Sequence, residues 1–383
     1  MIYLDNNATT KPLPGVVDAV TDALTQTWHN PSSTHRPGQN AKHAVETARS
    51  RLAALIGARP RELTFTGTGT EAIDLAIRGT LGINKKPSIV TTSIEHHAVS
   101  ALCERLETSG IEVRSAPVGL SGVVETEAVI SLIDDTTGIV SVQWINNETG
   151  TIQPVLDIAR ACNERGVVFH CDATQAVGKI PIDLSAADMP RFDLLNFAPH
   201  KFHGPKGVGV LRTARTTKLL PTILGTQELG RRGGTEGVPA IAGAGAAAEQ
   251  AMLWLSEPAN ARRVGALRDD LERGILERCA GAAVNGDRDQ RIWNTTNIGF
   301  PRLEAEALLL FLSEKGVCVS AGSACASGSI EPSPVILAMG TDPKTAHGSV
   351  RFSLSRDTTP DEIRDAIGYV GAAVDRLSQS LPG

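Results

Sequence analysis

Apolar positions along the first two thirds of the chain follow two alternating patterns, one with helical and one with extended spacing. Residues 41–57 place Ala41, Val45 and Leu52 on one helical face and end at a glycine. Residues 154–166 repeat that helical spacing behind a proline. Short runs rich in β-branched residues occur at 88–94, 138–145, 166–171, 193–197 and 207–211. The alternation predicts an α/β fold with a mostly parallel sheet buried on both faces.

A second region follows the alanine- and glycine-rich stretch 240–251. It begins with a long, charged helix pattern over about 254–280 and continues with a strand-like run and an apolar helix pattern. This mixture is typical of a smaller α+β domain, and 383 residues exceed what one ordinary core accommodates. We predict a large domain over residues 16–250 and a small domain formed by residues 1–15 and 251–383.

Composition and charge narrow the class of protein. The chain is 41% hydrophobic and 21% charged, as in soluble globular proteins, and its net charge of −5 argues against direct binding to nucleic acid. It has neither a signal-peptide pattern at its start nor an apolar run of membrane-spanning length. Six scattered cysteines without a CxxC pair argue against a disulfide scaffold and a zinc site. We therefore expect a cytoplasmic protein without a membrane partner.

Polar side chains that can bind a cofactor or take part in catalysis follow several of the predicted strands. His96, Asn147, Asp172 and Lys201 each come directly after such a strand, where the carboxyl ends of parallel strands meet at one sheet edge. A lysine and an aspartate at that edge suit pyridoxal 5′-phosphate, which a lysine holds as a Schiff base and an aspartate keeps protonated at its ring nitrogen. A histidine can stack on the ring, while Asn147 and Gln175 can hydrogen-bond its phenolate oxygen.

The glycine-rich stretch 65–79 (FTGTGTEAIDLAIRG) offers a site for the cofactor's phosphate. A predicted strand ends at Phe65 and a helix opens at Glu71, so that free N–H groups and the helix dipole favour an anion. The stretch lacks the GK[ST] of a Walker loop and the GxGxxG spacing of dinucleotide sites. Nucleotide binding is therefore the weaker interpretation.

Nine segments occur in order along nearly the whole chain: YLDNNATT, TGTGTEA, EHHAV, NNETG, DATQAVGK, HKFHGPKG, RRGGTE, GSACASG and VRFSLSR. Together they resemble the cysteine desulfurases of the class V aminotransferase group, in particular the group with the longer catalytic loop, which includes the nitrogen-fixation and iron–sulfur-cluster enzymes. The resemblance implies PLP-dependent transferase fold type I. It also implies removal of sulfur from L-cysteine, which yields L-alanine and a persulfide on an enzyme cysteine.

The resemblance carries over to individual cofactor-binding positions. Lys201 matches the Schiff-base lysine, His96 the ring-stacking residue and proton carrier, and Thr70 and His200 the phosphate ligands. Thr235 matches a residue that reaches the phosphate across a dimer interface, which implies a homodimer. The full set implied for the cofactor is Gly69, Thr70, His96, Asn147, Asp172, Gln175, His200, Lys201 and Thr235.

The resemblance also assigns the sulfur chemistry. Cys325 in GSACASG matches the persulfide carrier, which passes sulfur to an acceptor protein. Arg351, with Asn147, matches the substrate-binding residues, since a planar guanidinium suits a carboxylate better than an ammonium does. The destination of the sulfur stays open among iron–sulfur cluster assembly, tRNA thiolation, cofactor synthesis and DNA phosphorothioation. One departure is Ala198, where the family usually has a serine phosphate ligand.

Three alternatives remain. One is another reaction of the same cofactor, as in a selenocysteine or cystine lyase or an aminotransferase; these need no persulfide carrier, so Cys325 discriminates. The second is a non-catalytic module that binds phosphoesters through the glycine-rich stretch, which leaves the polar strand ends unexplained. The third is a metal site built from histidines, which lacks supporting carboxylate or cysteine spacing; its members would be His96, His97, His200 and His203.

Overall fold

The computed structural model describes residues 1–322 and 331–379. Within these residues the strands are β1 (Ile2–Tyr3), β2 (Leu63–Thr66), β3 (Ser88–Thr92), β4 (Glu112–Ala116), β5 (Thr137–Gln143), β6 (Val168–Asp172), β7 (Leu194–Phe197), β8 (Gly209–Thr213), β9 (Ala283–Val284), β10 (Thr295–Gly299), β11 (Val317–Cys318) and β12 (Ser349–Ser353). The α-helices are α1 (Pro14–Thr25), α2 (Arg36–Leu55), α3 (Gly69–Asn84), α4 (His97–Glu107), α5 (Thr126–Ile130), α6 (Val155–Glu164), α7 (Val238–Leu255), α8 (Pro258–Arg278), α9 (Ala305–Glu314), α10 (Pro334–Ala338), α11 (Pro343–His347) and α12 (Pro360–Ser378).

The central sheet has the strand order β2-β8-β7-β6-β5-β3-β4. Strands β4, β3, β5, β6 and β7 are parallel, whereas β8 runs antiparallel to both of its neighbours. Successive residues point to opposite faces, and both faces are covered: Leu194 joins one apolar cluster and Leu195 the other. The prediction of an α/β fold with a mostly parallel sheet, buried on both faces, is confirmed.

Helix α2 begins five residues before the predicted stretch at 41. The His35 side chain caps its start by accepting a hydrogen bond from the Gly38 amide at 3.1 Å, and Pro37 lies in the first turn. Helix α7, which contains the alanine- and glycine-rich stretch, packs against α1 and α2. A Cβ on Gly245 would lie 2.7 Å from the Ala48 Cβ, so the small side chains allow α7 and α2 to pack closely.

A further apolar cluster, separate from the two on the faces of the central sheet, contains Leu4 and residues between 264 and 373. Most of these residues lie on α8, β10, α9, β12 and α12. Strand β10 pairs with β9 and β12, and β1 pairs with β11 in parallel. The N-terminal strand is thereby joined to the C-terminal third of the chain. The predicted boundary between residues 250 and 251 falls inside α7 and stays a prediction. No helix among the described residues is both long enough and apolar enough to cross a membrane.

Candidate active site

The carboxyl ends of the parallel strands bring the predicted polar residues to one edge. Asp172 ends β6 and is level with Gln143 of β5 and Asn196 of β7. His96 follows β3, and Lys201 closes a short 3₁₀ turn after β7. Burial lowers the pKa of His96; the charge of Asp172 opposes that shift, and Lys201 adds to it. His96, Asp172 and Lys201 therefore lie within electrostatic reach of one another.

A chain of buried polar groups orients the Asp172 carboxylate. Its Oδ1 accepts from the Asn196 side-chain amide at 2.9 Å and from the Thr174 backbone N–H at 3.0 Å. The Asn196 amide oxygen must then accept from His170 Nε2, 2.8 Å away. His170 Nδ1 in turn accepts from the Ser141 hydroxyl at 2.9 Å. Burial lowers the pKa of His170 to about 4, so this supporting chain is neutral. Sequence reasoning did not single out Asn196 or His170, which read as ordinary strand residues.

Glu95 is a second buried carboxyl at this edge. Its carboxyl group accepts from the Thr92 hydroxyl at 2.6 Å and from the Gln143 backbone N–H at 3.0 Å. Burial raises the pKa of Glu95 to about 8, with a smaller contribution from the charge of Asp172. Glu95 is therefore protonated at neutral pH and adds no negative charge beside Asp172.

The N-terminal segment passes over the strand ends and meets Lys201. The Lys201 amine donates to the backbone carbonyls of Asn7 at 2.7 Å and Ala8 at 2.9 Å, and the residue is half-buried. The next residue along this segment, Thr9, has its hydroxyl 3.2 Å from His200 Nδ1. Burial lowers the pKa of His200 to about 3, and the charge of Lys201 contributes. His200 is therefore neutral.

Asn7 is the point at which several predicted site residues meet. Its side-chain amide donates to the Asn147 backbone carbonyl at 3.1 Å. Its backbone carbonyl accepts from the Gln175 side-chain amide at 3.1 Å and also from the Lys201 amine. Its amide oxygen accepts from Lys179 at 3.0 Å. Asn7 belongs to YLDNNATT, but nothing in the sequence distinguished it from its neighbours.

Lys179 is a buried amine that sequence reasoning also missed. Besides Asn7, it donates to the Gln175 amide oxygen. Burial lowers the pKa of Lys179 well below its usual value, and the charges of Lys201 and Arg351 add to the effect. Because the amine donates to the Gln175 amide oxygen, the nitrogen of that amide faces the Asn7 backbone carbonyl.

His96 caps helix α4 and has a defined tautomer. Its Nδ1 accepts from the Ala98 backbone N–H at 3.1 Å. In the neutral ring the proton is therefore on Nε2. Burial lowers the pKa of His96, which favours this neutral form near pH 7.

The glycine-rich stretch forms a tight turn into helix α3. The helix begins at Gly69, two residues before the predicted opening at Glu71, and Thr68 caps it by accepting from the Glu71 amide at 3.1 Å. A Cβ on Gly69 would lie 3.3 Å from the Ala198 Cβ, so this turn faces the end of β7. Thr70 is exposed in the first helical turn. Free N–H groups of that turn suit a phosphate.

The segment containing Thr235 is attached to the same helix. Arg232 forms an ion pair with Glu71 at 2.7 Å. Thr235 itself is exposed, and among the described residues no hydrogen bond joins it to the cluster around Lys201. Its predicted role across a dimer interface stays a prediction.

Arg351 on β12 is almost completely buried, with 1% exposure. Its Nη1 donates to the Asn147 carbonyl at 3.0 Å and its Nη2 to Asp5 Oδ1 at 2.7 Å. Two buried polar atoms here, Arg351 Nε and Asn147 Oδ1, have no hydrogen-bond partner among the described residues. Because an unpaired buried polar atom costs about 1–3 kcal/mol, this part of the site suits a polar ligand that both accepts from Arg351 and donates to, or is bridged to, Asn147.

Cys325 lies outside the described residues, within 323–330. The described residues before and after that stretch contact the site: the Arg351 backbone N–H donates to the Ser320 carbonyl at 2.7 Å. The Ser333 hydroxyl donates to Glu148, next to Asn147, at 2.6 Å. Among the described residues, no group of three His, Cys, Asp or Glu side chains is arranged to hold a metal ion.

Comparisons with known proteins agree along the whole chain. The family model "Aminotransferase class-V" matches residues 2–365. A cysteine desulfurase from a Nostoc species is 44% identical over 384 aligned positions, which cover 100% of this chain and 95% of that protein. A solved structure described as a NifS-like protein is 34% identical with a TM-score of 0.90, covering 98% of this chain and 100% of that one. Another, described as SspA in complex with cysteine, is 32% identical with a TM-score of 0.81, covering 94% and 100%.

Proposed function

The chain belongs to the class V aminotransferases and to the cysteine desulfurases among them, and we propose that it removes sulfur from L-cysteine with pyridoxal 5′-phosphate. The products are L-alanine and a persulfide on Cys325, which passes sulfur to an acceptor protein. The main support for the proposal is that Asp172, Lys201 and His96 lie at one edge of the sheet. Near them, Arg351 Nε and Asn147 Oδ1 are buried and have no hydrogen-bond partner among the described residues.

The residues present suit the cofactor. When bound, pyridoxal 5′-phosphate supplies a protonated ring that takes up electrons from the substrate. Asp172, held in place by Asn196, is the proposed partner of the ring nitrogen. The Asn147 backbone carbonyl and the Gln175 side-chain amide both contact Asn7, and the side chains of Asn147 and Gln175 are proposed to hydrogen-bond the ring oxygen. Lys201 is the proposed point of covalent attachment.

Arg351 is proposed to position the substrate, and Lys201 and His96 to move its protons. Arg351 Nε is buried and has no partner among the described residues, and it is proposed to bind the substrate carboxylate. Lys201 is the group proposed to take the proton from Cα, since its amine lies at the strand edge beside the site. His96, neutral and with its proton on Nε2, is placed to give a proton to the substrate; Nε2 can take a proton from the substrate thiol only after it has given up its own.

Cys325 is the proposed sulfur acceptor within the enzyme. Its thiolate forms a bond to the substrate sulfur while the bond between that sulfur and the substrate Cβ breaks, and the bonding electrons stay with carbon. Protonation of that carbon and return of the proton to Cα give alanine. Ser320 and Ser333, on either side of the 323–330 stretch, contact Arg351 and the residue next to Asn147. We further propose a homodimer, on the match at Thr235.

The test is a comparison of two serine substitutions. In the presence of a reductant, the wild-type holoenzyme should release alanine and sulfide from L-cysteine in equal amounts. Cys325→Ser should keep the visible absorbance of the lysine-bound cofactor but lose persulfide and sulfide. Cys318→Ser, on β11 seven residues earlier, is the matched control and should keep both. Sulfide release by Cys325→Ser at the wild-type rate contradicts the assignment.

A further inference from the structure

Two of the three guanidinium nitrogens of Arg351 have hydrogen-bond partners among the described residues, and the third has none. Nη1 is used by the Asn147 carbonyl, and one N–H of Nη2 by Asp5 Oδ1. Among the described residues, Nε is buried and has no hydrogen-bond partner. Each terminal nitrogen carries two N–H groups, so Nη2 retains one N–H besides the one that Asp5 accepts, and Nε retains its own. A guanidinium can bind a carboxylate in bidentate fashion through Nε and Nη2.

Asp5 is fixed to the strand that carries Arg351. It forms a parallel bridge with Ser353, two residues after Arg351 on β12. The Asn6 backbone N–H donates to the Ser353 backbone carbonyl at 3.1 Å, and the Ala8 backbone N–H donates to the Asp5 backbone carbonyl at 3.1 Å. The Asp5 backbone is thus held beside β12, which keeps its carboxylate within hydrogen-bond distance of the guanidinium.

The Asp5–Arg351 pair is only partly in contact with water: the Asp5 side chain is 19% exposed and that of Arg351 is 2% exposed. The negative charge of Asp5 offsets the cost of burying the guanidinium, and its hydrogen bond to Nη2 restricts rotation about the end of the arginine side chain. Asp5 accepts from Nη2 and not from Nε, so that Nε and one N–H of Nη2 are left for a substrate carboxylate.

We propose that Asp5 is a positioning residue that turns the Nε–Nη2 edge of Arg351 toward the α-carboxylate of the substrate. The proposal rests on the proposed function, in which Arg351 binds that carboxylate. Asp5 acts through Arg351 and contacts neither cofactor nor substrate. Its removal should therefore weaken the binding of every ligand that has an α-carboxylate and spare ligands that lack one.

The test uses Asp5→Asn in the holoenzyme. The KM for L-cysteine should rise about tenfold, the scale of one charge-assisted hydrogen bond, while kcat stays within about twofold. Inhibition by L-alanine, which has the carboxylate, should weaken about tenfold, whereas inhibition by ethylamine, which lacks it, should not change. The control is Asp74→Asn, which removes another aspartate–arginine pair (2.6 Å to Arg78) on the exposed face of α3. It should leave all four quantities as in the wild type.

Other results overturn the proposal. A lower KM in Asp5→Asn would show that Asp5 competes with the substrate. Equal weakening of both inhibitors, with a lower unfolding midpoint of the cofactor-free protein, would show a structural role only. If Asp5→Asn does not fold, Asp5→Glu displaces the charge by one methylene, and unchanged L-alanine inhibition in that variant refutes the proposal. A wild-type enzyme that makes no alanine from L-cysteine refutes the proposed function instead. Binding of L-alanine and of ethylamine to the wild type and Asp5→Asn, followed by the absorbance of the bound cofactor, then still measures Asp5.

Discussion

Two regions build the site, and in each of them burial shifts the pKa of a supporting group against its charged form. At the edge of the central sheet, Glu95 lies beside Asp172, and burial raises the pKa of Glu95 to about 8. Beneath the N-terminal segment, Lys179 lies near Lys201, and burial lowers the pKa of Lys179 well below its usual value. Burial therefore disfavours a second negative charge beside Asp172 and a second positive charge beside Lys201.

The two regions differ in how they hold their side chains. The sheet edge depends on regular strands, whose register places Asp172 level with Asn196. The N-terminal segment between β1 and α1 has no regular structure at Asn7, which is held by hydrogen bonds to residues 140 to 346 positions away in the chain. The site thus combines side chains placed by a ladder of backbone hydrogen bonds with side chains placed by the hydrogen bonds of one residue.

The largest effect should come from Asn7→Ala, which removes the side-chain contacts of the irregular region. The side-chain amide no longer bridges the Asn147 carbonyl and the Thr295 hydroxyl, and Lys179 loses the amide oxygen to which it donates. The backbone carbonyl of residue 7 still accepts from Lys201 and Gln175, but the segment that carries it is held less firmly. kcat/KM should therefore fall about 10²-fold, as for a small misplacement of reacting groups. The control is Asn6→Ala. Asn6 is equally buried but donates only to the backbone carbonyls of Tyr3 and Ser353. Steady-state kinetics and chemical unfolding should show similar stability losses in both variants but an activity loss only in the first; equal activity losses would contradict the role given to Asn7.

A smaller effect is expected from Lys179→Met, which replaces the buried amine by an apolar chain of similar length. Loss of its hydrogen bonds to Asn7 and Gln175 should lower kcat/KM about tenfold. The pKa of Lys179 is lowered on folding, so the unfolded chain binds more protons, and wild-type stability rises with pH toward the ordinary lysine pKa. Unfolding at pH 7 and pH 9 should show a weaker rise in Lys179→Met. Lys42→Met, exposed on α2, should keep the wild-type slope; a slope unchanged in Lys179→Met refutes the lowered pKa of Lys179.

The smallest effect on activity, and the opposite dependence on pH, is expected from Glu95→Gln. The pKa of Glu95 is raised on folding from 4.5 to about 8, so the folded protein binds more protons and wild-type stability falls as pH rises between those values. The substitution keeps a neutral group there, so the stability of Glu95→Gln relative to the wild type should increase from pH 5 to pH 8. Chemical unfolding measures this. Glu104→Gln, exposed on α4, is the control, and a relative stability that does not change with pH argues that Glu95 is ionised.

Much of the fold follows from local patterns. Apolar runs of strand length separated by amphipathic helices predict the parallel sheet, and its register then brings the strand ends to one edge. The prediction of the fold and the resemblance to cysteine desulfurases are confirmed. Errors at element ends have local causes, such as the cap on α2 by His35 and the start of α3 at Gly69. The roles given to His96, Asp172, Lys201 and Cys325 stay predictions until they are tested.

The sequence by itself determined the α/β architecture, the glycine-rich turn and the motifs that point to a lysine-bound cofactor, because each depends on spacing within a short stretch of chain. Only the tertiary structure decided the parts played by Asn7, Lys179 and Asp5. None of the three lies in a periodic pattern. Each has a hydrogen-bond partner more than a hundred residues away, and burial lowers the pKa of Lys179. Long-range contact and desolvation are properties of the folded chain, and no local pattern carries them.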